Sequence, residues 1–599
     1  MNFEHQITTA VIESLQQCYG QSVEEGIVSL QKTKKEFEGD FTLVVFPFLK
    51  ISKTSPENTA KQIGDKLLEI CPLIERYNVI KGFLNLTVKE AEWTGFVERE
   101  KDNRFFGHQT APENAQPVLI EFSSPNTNKP LHLGHVRNNL LGNSVSRILE
   151  AAGNTVIKVN LVNDRGIHIC KSMIAWKKYG NGETPESTGM KGDHLVGKYY
   201  VEFDKHYKEE VDELKKKGLG EEEAAKKAPI LLEAQAMLRK WEEGDEETRK
   251  LWGMMNGWVY NGFESTYQRM GIAFDKTYYE SNTYLLGKEI VKEGLDKKVF
   301  YYHTDGSVRI DLRTDGLDEK VLLRSDGTSV YMTQDLGTAL TRYREFHPKQ
   351  MIYVVGNEQN YHFDVLKLIL DQKLGYEWGK TIYHLSYGMV ELPSGKMKSR
   401  EGTVVDADDL MEKMVEMAAE NSAQLGKTSF SEEEARQLAE CVGIGALKYF
   451  ILKVDPKKNM LFNPDESIDL NGNTAPFIQY THARIRSLIA KGKERLGNRF
   501  LQHNFDGLMD QMEKEIIRQL YEYPSNVAQA AETFSPALIA NYTYELAKTY
   551  NRFYQECPIL KAAETDAPRC AFRLHISQFT ADVIRDAMGL LGIDVPDKM

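Results

Sequence analysis

Apolar residues recur along this 599-residue chain in two rhythms, and the places where one gives way to the other divide it. Near the N-terminus Ile7, Val11, Ile12 and Leu15 fall on one helix face, and Leu43 to Phe48 reads as an apolar strand. Ser55-Pro56-Glu57 has the form of a helix start, with Ile63, Leu67 and Leu68 on the inner side. Val79 to Leu86 reads as one further strand, containing Gly82-Phe83-Leu84-Asn85. Together these predict a small α+β domain over residues 1–107. The polar stretch from Gly107 to Pro117, with two prolines, reads as a linker out of it.

From Val118 the pattern becomes a regular alternation of strand and helix. Strands are predicted at Val118–Ile120, Thr155–Val162, Met351–Val355 and Ile382–Leu385. Between them stand helix faces: Leu141, Val145, Ile148 and Leu149, stopped by Gly153; Leu336, Leu340 and Tyr343; and Phe363, Leu366, Ile369 and Leu370. Alternation of this kind predicts an α/β domain, a parallel sheet with helices on its faces, over residues 108–410. An insertion at about 180–320 interrupts it. Its charge-dense part, with Lys215-Lys216-Lys217 and Glu221-Glu222-Glu223, reads as solvated helices. Its end carries two hairpin signals, Asp305-Gly306 and Asp326-Gly327. After about residue 410 strand signals fade. Met411, Met414, Val415 and Ala418, then Leu438, Val442, Ile444 and Leu447, predict a helical connector over 411–460, and residues 461–599 read as an all-α domain.

Composition changes this picture little. Hydrophobic content of 41% and charged content of 27% are those of an ordinary soluble protein. No apolar run is long enough to span a bilayer, and Met1-Asn2-Phe3-Glu4-His5 has no signal-peptide character, so no membrane association and a cytoplasmic location are expected. Six scattered cysteines without a Cys-x-x-Cys pair argue against a disulfide framework and a cysteine zinc site, and predict reduced, mostly buried thiols. The net charge of −12 leaves nucleic acid open as a partner, because only the local field at a contact surface matters.

Chemistry concentrates in two stretches. In Ser123-Ser124-Pro125-Asn126-Thr127-Asn128-Lys129-Pro130-Leu131-His132-Leu133-Gly134-His135 two histidines flank a glycine where a strand ending in Glu121 hands over to a helix. Exposed amides and the helix dipole favour phosphate there, Gly134 lets a flat ring approach the backbone, and His132 and His135 share one side of the first turn. A His-x-Gly-His tetrapeptide by itself is as readily a pair of caps. The second stretch, Ser394-Gly395-Lys396-Met397-Lys398-Ser399-Arg400-Glu401-Gly402, places three cations in five residues after a strand in the other half of the sheet. Such loops are ordinarily solvated turns, but ligands of these sheets collect outside the carboxyl ends of the strands, so the two stretches can face one nucleotide.

At these residues the chain resembles a known family. His132-Leu133-Gly134-His135 is similar to the "HIGH" motif of class I aminoacyl-tRNA synthetases, and Lys396-Met397-Lys398-Ser399-Arg400 to their "KMSKS" loop. Glu121-Phe122-Ser123-Ser124-Pro125-Asn126 and Lys129 resemble the arginyl-tRNA synthetases in particular. So do Gly39-Asp40-Phe41 in the N-terminal domain, Gly472-Asn473-Thr474-Ala475-Pro476-Phe477-Ile478-Gln479-Tyr480 and the ending Leu590-Leu591-Gly592-Ile593.

The resemblance implies a Rossmann-like catalytic domain, an N-terminal domain that touches the tRNA elbow and an anticodon-binding helical domain. It implies activation of L-arginine by ATP with Mg²⁺, without a protein metal site, then transfer to tRNA(Arg), with tRNA needed for the first step. His132, His135, Lys396 and Lys129 become the catalytic candidates, with Leu133, Gly134, Met397, Lys398 and Ser399 against ATP. Tyr331, Asp335 and Glu280 would take the substrate guanidinium, and Asn126 and Gln359, with Glu121 nearby, its backbone end; a planar, permanently charged group requires such acids and neutral acceptors. Singly, Asp335 reads as a helix-start aspartate and Tyr331 as a strand aromatic. For tRNA, His482, Arg484, Arg486, Lys491, Lys493, Arg495 and Arg499 crowd one stretch beside Tyr480, and cations with a stacking aromatic suit unpaired bases.

The class-wide loop has lysine at its first and fourth positions, whereas here Ser399 stands fourth and Lys398 third; either Lys398 or Lys129 supplies the missing charge. Two other classes of function compete: a small-molecule nucleotidyltransferase, usually much shorter and without a helical tail, and a non-catalytic RNA-binding relative, expected to have lost a motif histidine or Lys396. Specificity for cysteine would call for zinc ligands, which the sequence does not offer. The expected species is a monomer.

Overall fold

The structure is a computed structural model that describes residues 2–34, 36–393, 405–424, 430–501, 505 and 507–599, apart from the side chains of Gln424, Arg499 and Leu501. The chain forms two compact units. One comprises Met1–Phe106, Arg484–Glu522 and Lys548–Val583; the other Gly107–Ala483, Tyr523–Ala547 and Ile584–Met599.

The first unit contains a four-stranded antiparallel sheet in which Phe41–Val44 lies between Leu30–Lys32 and Phe83–Val88, with Ile74–Ile80 at the far edge. Two expectations are corrected here. The predicted strand Leu43 to Phe48 is Phe41–Val44 followed by a 3₁₀ turn over Phe46–Phe48, because Pro47 cannot donate to a ladder. The predicted strand Val79 to Leu86 is a hairpin: Lys81 and Gly82 both take positive φ, 50° and 80°, and reverse the chain between two strands. Ser55 caps the helix Pro56–Ile70 as its sequence indicates, accepting the Asn58 N–H at 3.3 Å.

The second unit is built on a five-stranded, wholly parallel sheet: β1 (Val118–Glu121), β2 (Val156–Val162), β3 (Lys276–Tyr279), β4 (Gln350–Gly356) and β5 (Ile382–Tyr387). The spatial order is β5-β4-β1-β2-β3, so the winding reverses between β1 and β4, and the crevice beyond their carboxyl ends is the place for a ligand. β3 corrects the expectation of an insertion over about 180–320, since the chain rejoins the sheet within it at Lys276–Tyr279. Before β3 come helices that include α2 (Ile167–Tyr179), α3 (Gly192–Lys216) and α4 (Glu246–Met270); after it comes a three-stranded antiparallel sheet of Tyr301–Tyr302, Val308–Ile310 and Lys320–Leu323. Asp305-Gly306 turns a true hairpin, whereas Asp326-Gly327 closes only the single bridge Leu323–Ser329 before the next helix begins.

The central helix α1 (Leu133–Ala151) follows β1 and is buried over most of its circumference, as an element lying between a sheet and further helices must be. Its approach to the sheet is close. A Cβ on Gly142 would stand 2.2 Å from the Phe122 ring. On the other side of the sheet Leu119, Val159, Leu336, Met351, Tyr353 and Leu366 form one apolar core, so β1 is buried on both faces. The helices α5 (Tyr331–Phe346) and α6 (Ala407–Gln424) carry the remaining residues that matter below. Tyr331 is therefore the first residue of a helix, not a strand aromatic.

Of the cysteines, all free, Cys71, Cys170, Cys557 and Cys570 are buried, Cys441 is half-buried and Cys18 is exposed. Among the described residues no helix is long and apolar enough to cross a membrane.

Candidate active site

The two histidines of the first motif cap α1 and each other. His132 is the N-cap residue, and its Nδ1 accepts the Gly134 N–H at 3.1 Å; His135 Nδ1 accepts the His132 N–H at 3.2 Å. The capping role and the functional role are thus not alternatives. An Nδ1 that accepts is unprotonated, so each neutral ring carries its proton on Nε2. Burial, then the neighbouring Lys129, pull His132 down to about 4 against the opposing Asp406. Burial, His132 and Lys129 hold His135 well below its ordinary value. Both rings are neutral at physiological pH, and each offers one fixed Nε2–H donor. Gly134 is needed for this as well as for any approaching ring, because a Cβ there would stand 3.0 Å from His132 Cε1. Lys129 is half-buried, with burial lowering its pKa.

The turn between β1 and this motif is strained. Ser123 and Ser124 lie consecutively at φ 76° and 46°, which side-chain-bearing residues rarely adopt. Their amides are held by side chains: Ser123 N–H donates to Asn138 Oδ1 at 2.6 Å, and Ser124 N–H to Asn160 Oδ1 at 3.0 Å. Ser123 Oγ and Tyr267 Oη share a further bond of 2.6 Å. This shape turns Asn126, which is exposed and bridges Asn163 beyond β2, toward the crevice end of the sheet.

Of the residues expected around arginine, Asp335 on α5 bonds through Oδ2 to His362 Nε2 at 2.6 Å, and Glu280 stands directly after β3. Burial raises Glu280 to about 7; Arg165 opposes the shift, and the charges of Asp164 and Asp335 add to it. A carboxyl raised by burial and by neighbouring acids is what an acidic pocket contains before a cation enters. Tyr331 is 72% exposed, and Gln359, just past β4, is also exposed, so both are accessible to a ligand. Glu121 is different. It is buried, and its carboxylate pairs with the fully buried Arg342 guanidinium, with Ser124 Oγ donating to the other oxygen at 3.4 Å. Its charge is engaged inside the fold, which corrects the expectation that it stands near the substrate's backbone end.

Asp164 was not singled out by sequence. It is 1% exposed and accepts from Ser281 N at 2.8 Å, Ser281 Oγ at 2.7 Å and Tyr260 Oη at 2.9 Å, while burial raises its pKa. It ties the end of β2 to α4 and to the residue after Glu280. Its position at the carboxyl end of a parallel strand was the available signal. A second unforeseen cluster gathers at the start of α6. His194 of α3 bonds Asp406 at 3.2 Å and Asp408 at 3.3 Å, and Lys191 bonds Asp193 at 3.1 Å and Asp408 at 2.6 Å. Ligand atoms of Asp193, His194 and Asp408 lie within 4.8 Å of one another, but the Lys191 ammonium already supplies the positive charge there. These aspartates, with Asp406 foremost, drive His194 up to about 10 against its burial.

Lys396, Met397, Lys398 and Ser399 lie outside the described residues. Of the basic stretch after Tyr480, Arg484 bonds Asn551 at 2.7 Å and Arg486 bonds Gln578 at 3.4 Å, each half-buried. Lys491, Lys493 and Arg495 are exposed. His482 is corrected: it is fully buried, with Nδ1 bonded to the Pro596 carbonyl at 2.9 Å, and belongs to no basic surface. Tyr480 lines an apolar cavity with Leu438, Val442 and Met599.

Comparison with known proteins agrees in extent with the whole chain. Residues 101–463 match the catalytic domain of class I tRNA synthetases of the arginine type, 478–599 the DALR anticodon binding domain, and 5–88 the arginyl-tRNA synthetase N-terminal domain. The arginine–tRNA ligase of Bacteroides thetaiotaomicron is 58% identical over 602 residues, and that of Porphyromonas gingivalis (strain W83) 54% over 600, each match covering 100% of both chains. Among solved structures, the arginyl-tRNA synthetase of Thermus thermophilus superposes with a TM-score of 0.78 at 22% identity over 100% of both chains. That of Plasmodium falciparum gives 0.75 at 20% identity over 99% of both.

Proposed function

The chain belongs to the arginyl-tRNA synthetases of class I, and from that premise we propose how its residues divide the reaction. The enzyme is an arginine–tRNA ligase: it activates L-arginine with ATP and charges tRNA(Arg). An oxygen of the arginine carboxylate attacks the α-phosphorus of ATP, the bond to the bridging β-phosphate oxygen breaks, and pyrophosphate leaves. A terminal ribose hydroxyl of the tRNA then attacks the arginyl carbonyl carbon, and AMP leaves.

The first step needs positioned positive charge and hydrogen-bond donors more than covalent help. The mutual capping of His132 and His135 carries the assignment, because it fixes two neutral Nε2–H donors at the N-terminus of α1, at the crevice where the sheet's winding reverses. In this reading those two donors, with Lys129 and Lys396, stabilise charge developing on the triphosphate, which enters with Mg²⁺ as part of the substrate. Leu133, Gly134, Met397, Lys398 and Ser399 line the nucleotide. Asp335 and Glu280, with Tyr331, receive the guanidinium, and Asn126 and Gln359 the amino-acid backbone. Asp164 joins this group, orienting the start of the Glu280 segment through Ser281. Tyr480, Arg484 and Arg486 meet the tRNA, residues 1–107 its elbow, and 461–599 its anticodon. Because one chain carries every motif, the proposed active species is a monomer; because ATP and tRNA are consumed, its proposed place of action is the cytoplasm.

ATP–pyrophosphate exchange measured across all amino acids, with and without tRNA, tests the assignment. Exchange is expected with arginine alone, only when tRNA is present, and lost in Lys396→Ala. Wild-type exchange in Lys396→Ala would refute the role given to that lysine.

A further inference from the structure

Gly197, Tyr200 and Phe203 follow one another at intervals of three along α3, so they share one side of that helix. Each of them meets a basic residue. Gly197 lies against Lys129-Pro130: a Cβ on it would stand 2.9 Å from Pro130 Cδ and 3.7 Å from Lys129 Cα. Tyr200 Oη shares a bond of 3.0 Å with Nδ1 of His168, the second residue of α2. The Phe203 ring lies under Lys171, whose Nζ is 5.4 Å from the ring centroid. Lys129, His168 and Lys171 thus form a row beside six residues of α3, a length of about 9 Å at a rise of about 1.5 Å per residue.

The row begins at the first motif. After burial, Lys129 lowers His132, and Lys171 with Lys129 lowers His168, so Lys129 stands between the motif and α2. It leads outward from there, because the Gly197 end of α3 adjoins the turn where His194 bonds Asp406, the residue that bridges His132. Among the described residues no carboxylate stands within ion-pair distance of Lys129, His168 or Lys171. Burial lowers the pKa of both lysines; Asp204 faces Lys171 and opposes the shift there, but its carboxylate is engaged by Lys208 at 2.5 Å. His168 is exposed, and the two lysines are half-buried. Half-buried cations without counter-ions are costly, and an entering anion relieves that cost.

We propose that Lys129, His168 and Lys171 form a subsite for phosphodiester groups of the 3′-terminal strand of tRNA, leading that strand toward His132 and His135. A triphosphate reacts where its charge converges on the two histidines, whereas a row running away from them matches a linear polyanion whose end reaches them. The reaction has such a substrate: the terminal ribose hydroxyl must arrive at the arginyl carbonyl, and phosphodiesters precede it along the strand. The proposal rests on the reading of this crevice as the place where adenylation and transfer occur.

The test is equilibrium binding of the full-length enzyme to tRNA(Arg), and to the same tRNA lacking its last three nucleotides, over a range of salt concentrations. Lys171→Met keeps a stem over Phe203 and removes the charge. One phosphate contact on a single strand contributes about 0.7 to the slope of log affinity against log salt, which is about fivefold between about 1 M and about 0.1 M. Lys171→Met is therefore expected to weaken binding of intact tRNA about fivefold at about 0.1 M salt and to flatten the slope by about 0.7, while binding of the truncated tRNA changes by less than about 1.5-fold. Lys171→Arg should restore the wild-type values. His168→Ala is expected to weaken only the intact tRNA, and it decides the matter if Lys171→Met does not fold. Equal losses with both tRNAs, no loss with either, or equal affinity of the wild-type enzyme for both overturns the proposal. So does a raised KM for ATP in pyrophosphate exchange with tRNA binding unchanged, which would give the row to the triphosphate. Wild-type exchange in His132→Asn would sink the underlying reading of the crevice instead.

Discussion

His135 accepts the backbone N–H of His132 through Nδ1 at 3.2 Å, so the second histidine of the motif fixes the proton position of its own ring by capping the residue that carries the first. His132 does the same through Gly134. In the proposed reading phosphate meets two rings whose tautomers are set by main chain.

That arrangement separates stability from activity. Asparagine at 132 can accept the Gly134 amide but places no donor where Nε2 lies, whereas alanine does neither. His132→Asn is expected to unfold within about 0.5 kcal/mol of the parent and His132→Ala about 1 kcal/mol below it. Both are expected to lose about a hundredfold in exchange kcat. Equal stability of the two variants in urea titrations would show that the cap contributes nothing.

With Glu280 in the proposed pocket, arginine binding is expected to depend on pH. The Glu280 pKa is raised to about 7, so near neutrality part of the empty enzyme holds it protonated. An entering guanidinium favours the carboxylate, so the bound pKa falls, binding releases a proton, and affinity increases as pH rises through 7. Below that point the KM for arginine is expected to climb by up to about tenfold per pH unit. Calorimetry at pH 7 in buffers of differing ionisation enthalpy should register the proton release, and Glu280→Gln should abolish it. A KM for arginine that is flat between pH 6 and 8 would remove Glu280 from the pocket.

Glu121 should behave as part of the framework. Glu121→Gln leaves the buried Arg342 without its counter-charge and is expected to cost about 3–5 kcal/mol of stability, seen as a lowered Tm. Any folded fraction should keep its KM for arginine. A raised KM at unchanged Tm would return the residue to the substrate's backbone end.

The parallel sheet, its helices and the first motif were legible because they depend on local periodicity and on a helix start. β3 was not. Lys276-Thr277-Tyr278-Tyr279 is short and has no apolar run, and it becomes a strand only because the edge of β2 offers it a partner, Val159 to Val162. The hairpin at Lys81-Gly82 was missed because a glycine inside an apolar stretch marks a turn only when the chain on both sides pairs. Glu121 looked like a site residue because it adjoins one; its partner Arg342 lies more than two hundred positions on, and no spacing announces it. Asn138, Asn160 and Arg137 escaped for the same reason. Asn138 and Asn160 accept main-chain N–H groups and Arg137 donates to main-chain carbonyls brought up from elsewhere, and sequence carries no mark of a partner that is backbone.

The return of the chain to β3 has a topological consequence. β2 and β3 are adjacent and parallel, in register from Val159–Lys276 to Val162–Tyr279. Joining such neighbours requires a single crossover of a dozen or more residues, which one helix provides. Here the excursion runs from Asn163 to Asp275 and includes α2, α3 and α4. Its two ends are about 5 Å apart, one strand spacing, so lengthening or shortening the excursion leaves the register of every strand intact. Its length can therefore vary without refolding the crevice, while its ends stay tethered: the first turn of α3, where His194 and Lys191 grip Asp406 and Asp408, and Tyr267 of α4, which bonds Ser123.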